Sequence, residues 1–373
     1  MIQKAFLNHQ KNTLITIILQ KNTLQNTIEK TILDHAHIGL RLKSRGTLIR
    51  EKWYEQFLPT VHPEQDVFKL LVPSKNTDFI MSKLIETFQL YKSSSGAIFE
   101  TPCKQLILSD KNSKPTPKTT RSRSKFKVSL QKDLIQIICI TQKEKSDHLT
   151  KIAVNLGIPS PMVLHGQGKG VRDRLGILRI AINPEKEIMS VLVNKENAQF
   201  TFDTLSTEGN FQLPGEGFIY MVPINKGLIN IKSIVMNKKQ PASISQIIKA
   251  IDELKGNTDW RDNYLTSVGN TPQTQNHYLE GLVRLTCISD VGASNKLVSK
   301  ALEVGAPGAT MVIGTQLGND RQLGNTSIQL STEKELIEMT VSVNKVNTII
   351  ATLQDVEKTR RVITPYFLYT YDS

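Results

Sequence analysis

Chemistry in this 373-residue chain has few places to reside, and the histidines, cysteines and two glycine clusters are the ones to test first. Of His9, His35, His37, His62, His148, His165 and His277, only His35 and His37 stand close together. Their spacing puts both rings on one face of a strand, as half of a metal site would require, but no cysteine or carboxylate cluster accompanies them. Cys103, Cys139 and Cys287 are far apart and odd in number, which matches neither a disulfide framework nor zinc spacing and suits a reducing compartment. There is no G-x-S-x-G and no H-E-x-x-H, and Gly166–Gln167–Gly168–Lys169–Gly170 lacks the spacing of a phosphate-binding P-loop. The expectation is a protein that is not an enzyme and requires no cofactor. His165, just ahead of those glycines, is the best single candidate for a ligand contact, with a structural histidine as the alternative. Gly215–Glu216–Gly217 precedes an apolar run, where a turn or bulge is the plain reading.

The elements that would position these residues recur along the chain. Three acidic knots, Pro63–Glu64–Gln65–Asp66, Pro184–Glu185–Lys186–Glu187 and Thr332–Glu333–Lys334–Glu335, each open an apolar run. A second landmark follows each knot glutamate by 32 residues: Gly96, Gly217 and Pro365. Upstream, Gly46, Gly168 and Gly314 recur at nearly constant offsets. Around them alternate apolar strands and stretches of helical periodicity, such as Lys145 to Leu156 and Ser294 to Val304. The order reads βαββαβ three times, which predicts an α+β fold of three ferredoxin-like repeats forming an intramolecular pseudotrimer. The boundaries are 1–102 for the first repeat, 103–132 for a basic linker, 133–232 for the second repeat, 233–278 for a second linker and 279–373 for the third repeat. The second linker contains an amphipathic helix over 243–256, read as a packing strap that ends at Gly256.

Formal charge is +13, and the basic linker concentrates much of it, with nine Lys or Arg against Asp110. Only Phe126 interrupts that run, whereas single-stranded nucleic-acid sites interleave cations with stacking aromatics, so a solvated linker is expected and nucleic acid is not the expected partner. No apolar stretch approaches the ~20 residues of a membrane span. The first residues lack the pattern of a cleaved leader. Cytoplasmic location and a monomer closed on itself are the expectations.

The middle repeat resembles the P-II-like signal-transduction family, most closely the branch with HGRGT, PEKEI and PGKGIAF segments. These stand here as His165–Gly166–Gln167–Gly168–Lys169–Gly170, Pro184–Glu185–Lys186–Glu187–Ile188 and Pro214–Gly215–Glu216–Gly217–Phe218–Ile219–Tyr220. Repeat one keeps Ser44–Arg45–Gly46–Thr47, and repeat three keeps its knot and Ile313–Gly314–Thr315. The resemblance implies homotrimer-like packing with small ligands in inter-repeat clefts, and signalling to a target protein through a long loop, here 171–183. It also implies a regulatory role, possible ties to nitrogen regulation, and binding of a small anionic metabolite or nucleotide such as ATP, ADP or AMP. Glycines let backbone N–H groups form an anion-binding concavity and a lysine adds charge. By that resemblance Gly215 and Gly217 form the glycine turn, Lys186 is the basic position of the third strand, and Gly166, Gly168 and Lys169 form the loop base beside His165. Phe218 replaces a basic residue of the family pattern, and Lys226 and Lys232 are loose substitutes for its paired arginines.

Overall fold

Each knot glutamate opens a ten-residue strand, and each described 32-residue landmark opens the strand that follows the next helix. In chain order the strands are β1 (Asn12–Gln20), β2 (Ile38–Arg45), β3 (Glu64–Pro73), β4 (Gly96–Cys103), β5 (Gln105–Leu108), β6 (Gln131–Gln142) and β7 (Met162–Gly170). Then follow β8 (Glu185–Asn194), β9 (Gly217–Asn230), β10 (Leu282–Asp290), β11 (Gly308–Gln316), β12 (Glu333–Ser342) and β13 (Tyr366–Tyr371). The helices are α1 (Thr77–Thr87), α2 (Ser146–Asn155), α3 (Lys195–Glu208), α4 (Ser294–Glu303) and α5 (Val346–Lys358). The computed structural model describes residues 12–21, 35–46, 64–92, 95–103, 105–108, 129–158, 161–170, 184–230, 281–317, 333–358 and 366–371, with single positions at 28, 250, 253–254, 256 and 279. Most of the amphipathic helix expected over 243–256, the loop 171–183, Lys232 and most of the basic linker therefore lie outside the described residues, although β5 and the start of β6 fall within 103–132.

All thirteen strands among the described residues belong to one antiparallel sheet, in the order β2-β3-β1-β4-β9-β6-β8-β7-β11-β12-β10-β13-β5. Further pairings of β2 with β7 and with β11 join the ends of a nine-strand stretch, so that stretch closes into a barrel. This overturns the expected fold class. The molecule is not three ferredoxin-like βαββαβ repeats assembled as a pseudotrimer; it is a closed barrel continued by four more strands, with five α-helices among the described residues. Neither ferredoxin-like, tandem-repeat nor pseudotrimer describes one continuous hydrogen-bonded sheet. The sequence periodicity is expressed as recurring neighbour order inside that sheet, β2-β3-β1-β4, β7-β8-β6-β9 and β11-β12-β10-β13. The physical reason lies at the strand edges. A four-stranded module exposes unpaired N–H and C=O groups along both edges. Here β4 pairs with β9, β7 with β11 and β2 with both β7 and β11, and closure removes those edges.

The apolar residues divide by strand parity. Leu14, Leu40, Ile138, Val222, Val312 and Leu336 belong to one core drawn from all parts of the chain, which fills the barrel. Residues of opposite parity, such as Ile17, Cys139 and Leu285, pack outward under helices in three separate clusters. Strands covered on both faces read as nearly continuous apolar runs, and β1 is buried over Asn12–Leu19. Burial holds the thiol of Cys103 up at about 12 and that of Cys139 higher still, so neither is a reactive thiolate. Among the described residues, no helix is long and apolar enough to cross a membrane.

Candidate functional site

Cross-strand register brings most of the expected residues to one end of the β7-β8-β6-β9 stretch, in two adjacent rows. His165, Glu187, Thr141 and Gly217 form one row, and Gly166, Lys186 and Gln142 form the next. Consecutive residues of a strand point to opposite faces. Lys186 shares parity with Ile188 and Leu192 of the barrel core, whereas Glu187 shares parity with Met189 and Val191 under the helices. Lys186 and His165 are thus placed on opposite faces of the sheet, and the residues expected to form one pocket divide into two sets.

On the barrel side, the Lys186 stem lies over β7 where side chains are missing. A Cβ on Gly168 would stand 2.8 Å from Lys186 Cγ, and one on Gly166 would stand 2.7 Å from the carbonyl oxygen of Met311. Gly166 is required by its close approach to backbone, whereas at Gly168 the lysine stem would have to swing aside. Gln142, opposite Lys186, donates from Nε2 to the carbonyl of Gly215 at 3.0 Å, linking the lysine row to the glycine turn. That turn is two strand spacings from Lys186, about 10 Å. Gly217 has φ +141°, and a Cβ there would collide with the Ile140 carbonyl oxygen, so its glycine is demanded by the strand opening itself. Glu216, between the two glycines, pairs with Lys145. Phe218 packs against the barrel core and lies 5.5 Å from Tyr220, centroid to centroid, so this position serves apolar packing.

The other face is organised by Glu187. Its buried carboxylate accepts from the backbone N–H of Glu144 at 3.0 Å and from Ser146 Oγ at 2.6 Å and N at 3.3 Å, which satisfies the first turn of α2. Arg45 reaches across from the end of β2, donating to Glu187 at 3.2 Å, to Ser146 Oγ at 2.9 Å and to Asp147 at 2.6 Å. His165 Nδ1 lies 3.7 Å from Glu187 Oε1, with 59% of its side chain exposed. Lys169 instead spans to α4, donating to the Asn295 carbonyl at 3.3 Å and to Ser299 Oγ at 3.0 Å. Glu335 repeats the Glu187 role for α4, accepting from Ser294 N at 2.9 Å and Gly292 N at 3.1 Å, and Asp66 binds Arg41 through both oxygens at 2.9 and 2.8 Å.

Sequence reasoning singled out the lysine of the knot and passed over the acid beside it. The missed signal was parity: the last knot residue, Asp66, Glu187 or Glu335, has the phase of the helix-side apolar residues. Lys226, read as a loose basic substitute, is held by Asp78 in the first turn of α1 and lies 3.8 Å from Glu100. Burial raises the Glu100 carboxyl against the pull of Lys226. His37 shares a hydrogen bond with Asn12 Oδ1 at 3.1 Å, burial lowers its pKa, and His35 meets Phe79 edge to face at 5.2 Å, so neither ring is turned to a metal. Among the described residues, no three His, Cys, Asp or Glu side chains gather as a metal set. No protein-family model matches the chain, and no curated protein matches it.

Proposed function

We propose that the chain is a non-enzymatic, cytoplasmic regulator of the P-II-like kind that binds a small anion, with an adenine nucleotide as the first ligand to test, at the barrel-facing end of β7 and β8. The observation that carries this reading is the Lys186 stem lying over Gly168, near the end of β7 and close in sequence to residues 171–183. A cation beside bare backbone favours negative charge. The ~10 Å from Lys186 to the glycine turn favours a ligand with several charges over a single-point anion. Ligand binding would bias the loop, which would then meet a target protein. A role in nitrogen regulation rests on family resemblance alone.

Calorimetry of the full chain with ATP, ADP and AMP tests this. Binding is expected, and Lys186→Ala should weaken it by ~1.5–3 kcal/mol, the usual value of a hydrogen bond to a charged group. Absence of heat with all three at millimolar concentration removes the reading.

A ligand-free interaction scaffold is the second reading, favoured by charge matching. Arg41 with Asp66, Arg45 with Glu187, Lys145 with Glu216, Lys226 with Asp78 and Lys334 with Asp290 are already paired. A thermal-shift panel of nucleotides and metabolites separates the two, because a cleft ligand stabilises by mass action and a scaffold shows no shift.

A further inference from the structure

Two buried carboxylates outside the candidate site meet a lysine, and they meet it differently. Glu338 accepts from Lys69 Nζ at 2.7 Å, a closed pair. Glu100 shows an open one. Cross-strand register sets Ile15, Glu100, Lys226 and Lys132 side by side across β1, β4, β9 and β6. Ile15 belongs to the apolar cluster under α1, so Glu100 is directed toward that helix. Asp78 in the first turn of α1, Lys226 and Glu100 run from outside to inside, with side chains 84%, 24% and 9% exposed. Lys226 pairs with the outer Asp78 and stands 3.8 Å from Glu100 Oε2, about 1 Å beyond a charge-assisted hydrogen bond. That oxygen is buried with no hydrogen-bond partner among the described residues. The start of α1 has no side-chain cap, and Asn76 Nδ2 and Thr77 Oγ1 are likewise buried without partners among the described residues. The groups facing Glu100 are Lys226 and Asn225 from β9 and Asp78 from α1; β1 offers Ile15, and Lys132 of β6 stands one strand beyond Lys226. Burial raises the Glu100 carboxyl, Lys226 and Asn225 pull it back, and Asp78 pushes it up again.

We propose that Lys226 is a proton-controlled latch between the buried Glu100 and the first turn of α1. With Glu100 protonated, the ammonium rests on Asp78, the arrangement in this structure. Loss of the Glu100 proton to solvent leaves a buried carboxylate, which an ammonium at hydrogen-bond distance compensates better than one at 3.8 Å, so Lys226 moves inward and Asp78 is released. The switch spans the β4–β9 seam and needs no ligand at Lys186.

Amide hydrogen exchange of the full chain between about pH 4 and pH 8, corrected for the intrinsic pH dependence of exchange, tests the latch. Met81, Ser82 and Lys83 carry the amides that bond first-turn carbonyls of α1. Their protection should fall about threefold as pH rises through the Glu100 titration, the scale of a partly exposed ion pair. Glu100→Gln should keep the low-pH protection at every pH, and Asp78→Asn should show the lower protection throughout. Wild-type protection that does not change with pH overturns the inference, as does a fall that persists in either variant. A fall shared equally by the amides of α5 also overturns it, because it would report global stability and not release of α1. The exposed Asp78→Asn keeps the test decisive should Glu100→Gln fail to fold.

Discussion

Gly215 and Gly217 lie in one turn but call for glycine on different grounds. Both have positive φ, +96° and +141°, yet nothing lies within 4 Å of a Cβ built on Gly215, whereas one on Gly217 strikes the Ile140 carbonyl. Gly215→Ala should cost about 1 kcal/mol, and Gly217→Ala about 2–3 kcal/mol, in urea unfolding without ligand. Equal and negligible costs would mean that the pair serves a ligand and not the strand opening. Glu100 supplies a pH test. Its raised folded pKa means that the native state holds the proton more tightly than the unfolded chain. Its contribution to stability is therefore full below the unfolded carboxyl value of about 4.3 and is lost as pH rises through the folded value. Stability measured from pH 4 upward should fall relative to Glu100→Gln across that window, and a pH-independent difference would show that burial leaves the carboxyl unperturbed.

Helices α2 and α4 start in the same way, each on a carboxylate projected from a knot strand. The two are not equivalent, because Glu187 also receives Arg45 from the end of β2 whereas Glu335 has no arginine among its described partners. Glu335→Ala removes a cap and should cost ~1–2 kcal/mol. Glu187→Ala removes a cap and also takes the one buried carboxylate from the largely buried Arg45, leaving it the exposed Asp147 and the Ser146 hydroxyl, so ~3–4 kcal/mol is expected. Denaturant unfolding gives the totals, and hydrogen exchange should show the loss of protection concentrated in α2 and at the β2–β7 seam. Equal costs would show that Arg45 adds nothing to the interface.

At the scale of the whole molecule, charge and topology are separable. Much of the positive charge sits in 103–132, but β6 begins at Gln131, so a clean deletion of the basic run must end at 128. Removing 110–128 should abolish any binding to a generic polyanion such as heparin, binding that should also weaken steeply with salt, while leaving Tm within a few degrees of the intact chain. Retained heparin affinity would place the anion contact on the barrel.

Local pattern was enough to locate most of the strands and helices, but not β5, which lies inside the stretch 103–132 expected to be a linker. Glu64, Glu185 and Glu333 begin strands, Gly96 and Gly217 begin the strands that follow α1 and α3, and the helical periodicity of 145–156 and 294–304 matches α2 and α4 within a residue or two. Alternation of apolar residues is written into each strand because it depends only on neighbours one and two positions away. What the tertiary structure decided was the fate of the edges and of each strand's second face. Pairing of β2 with β7 and β11 turned three expected modules into one closed sheet. The same register set Lys186 and His165 on opposite faces and brought Lys69 against Glu338 from the far end of the chain. Those outcomes depend on hydrogen bonds and ion pairs between residues separated by up to 269 positions, and no local periodicity encodes which distant edge a strand will meet.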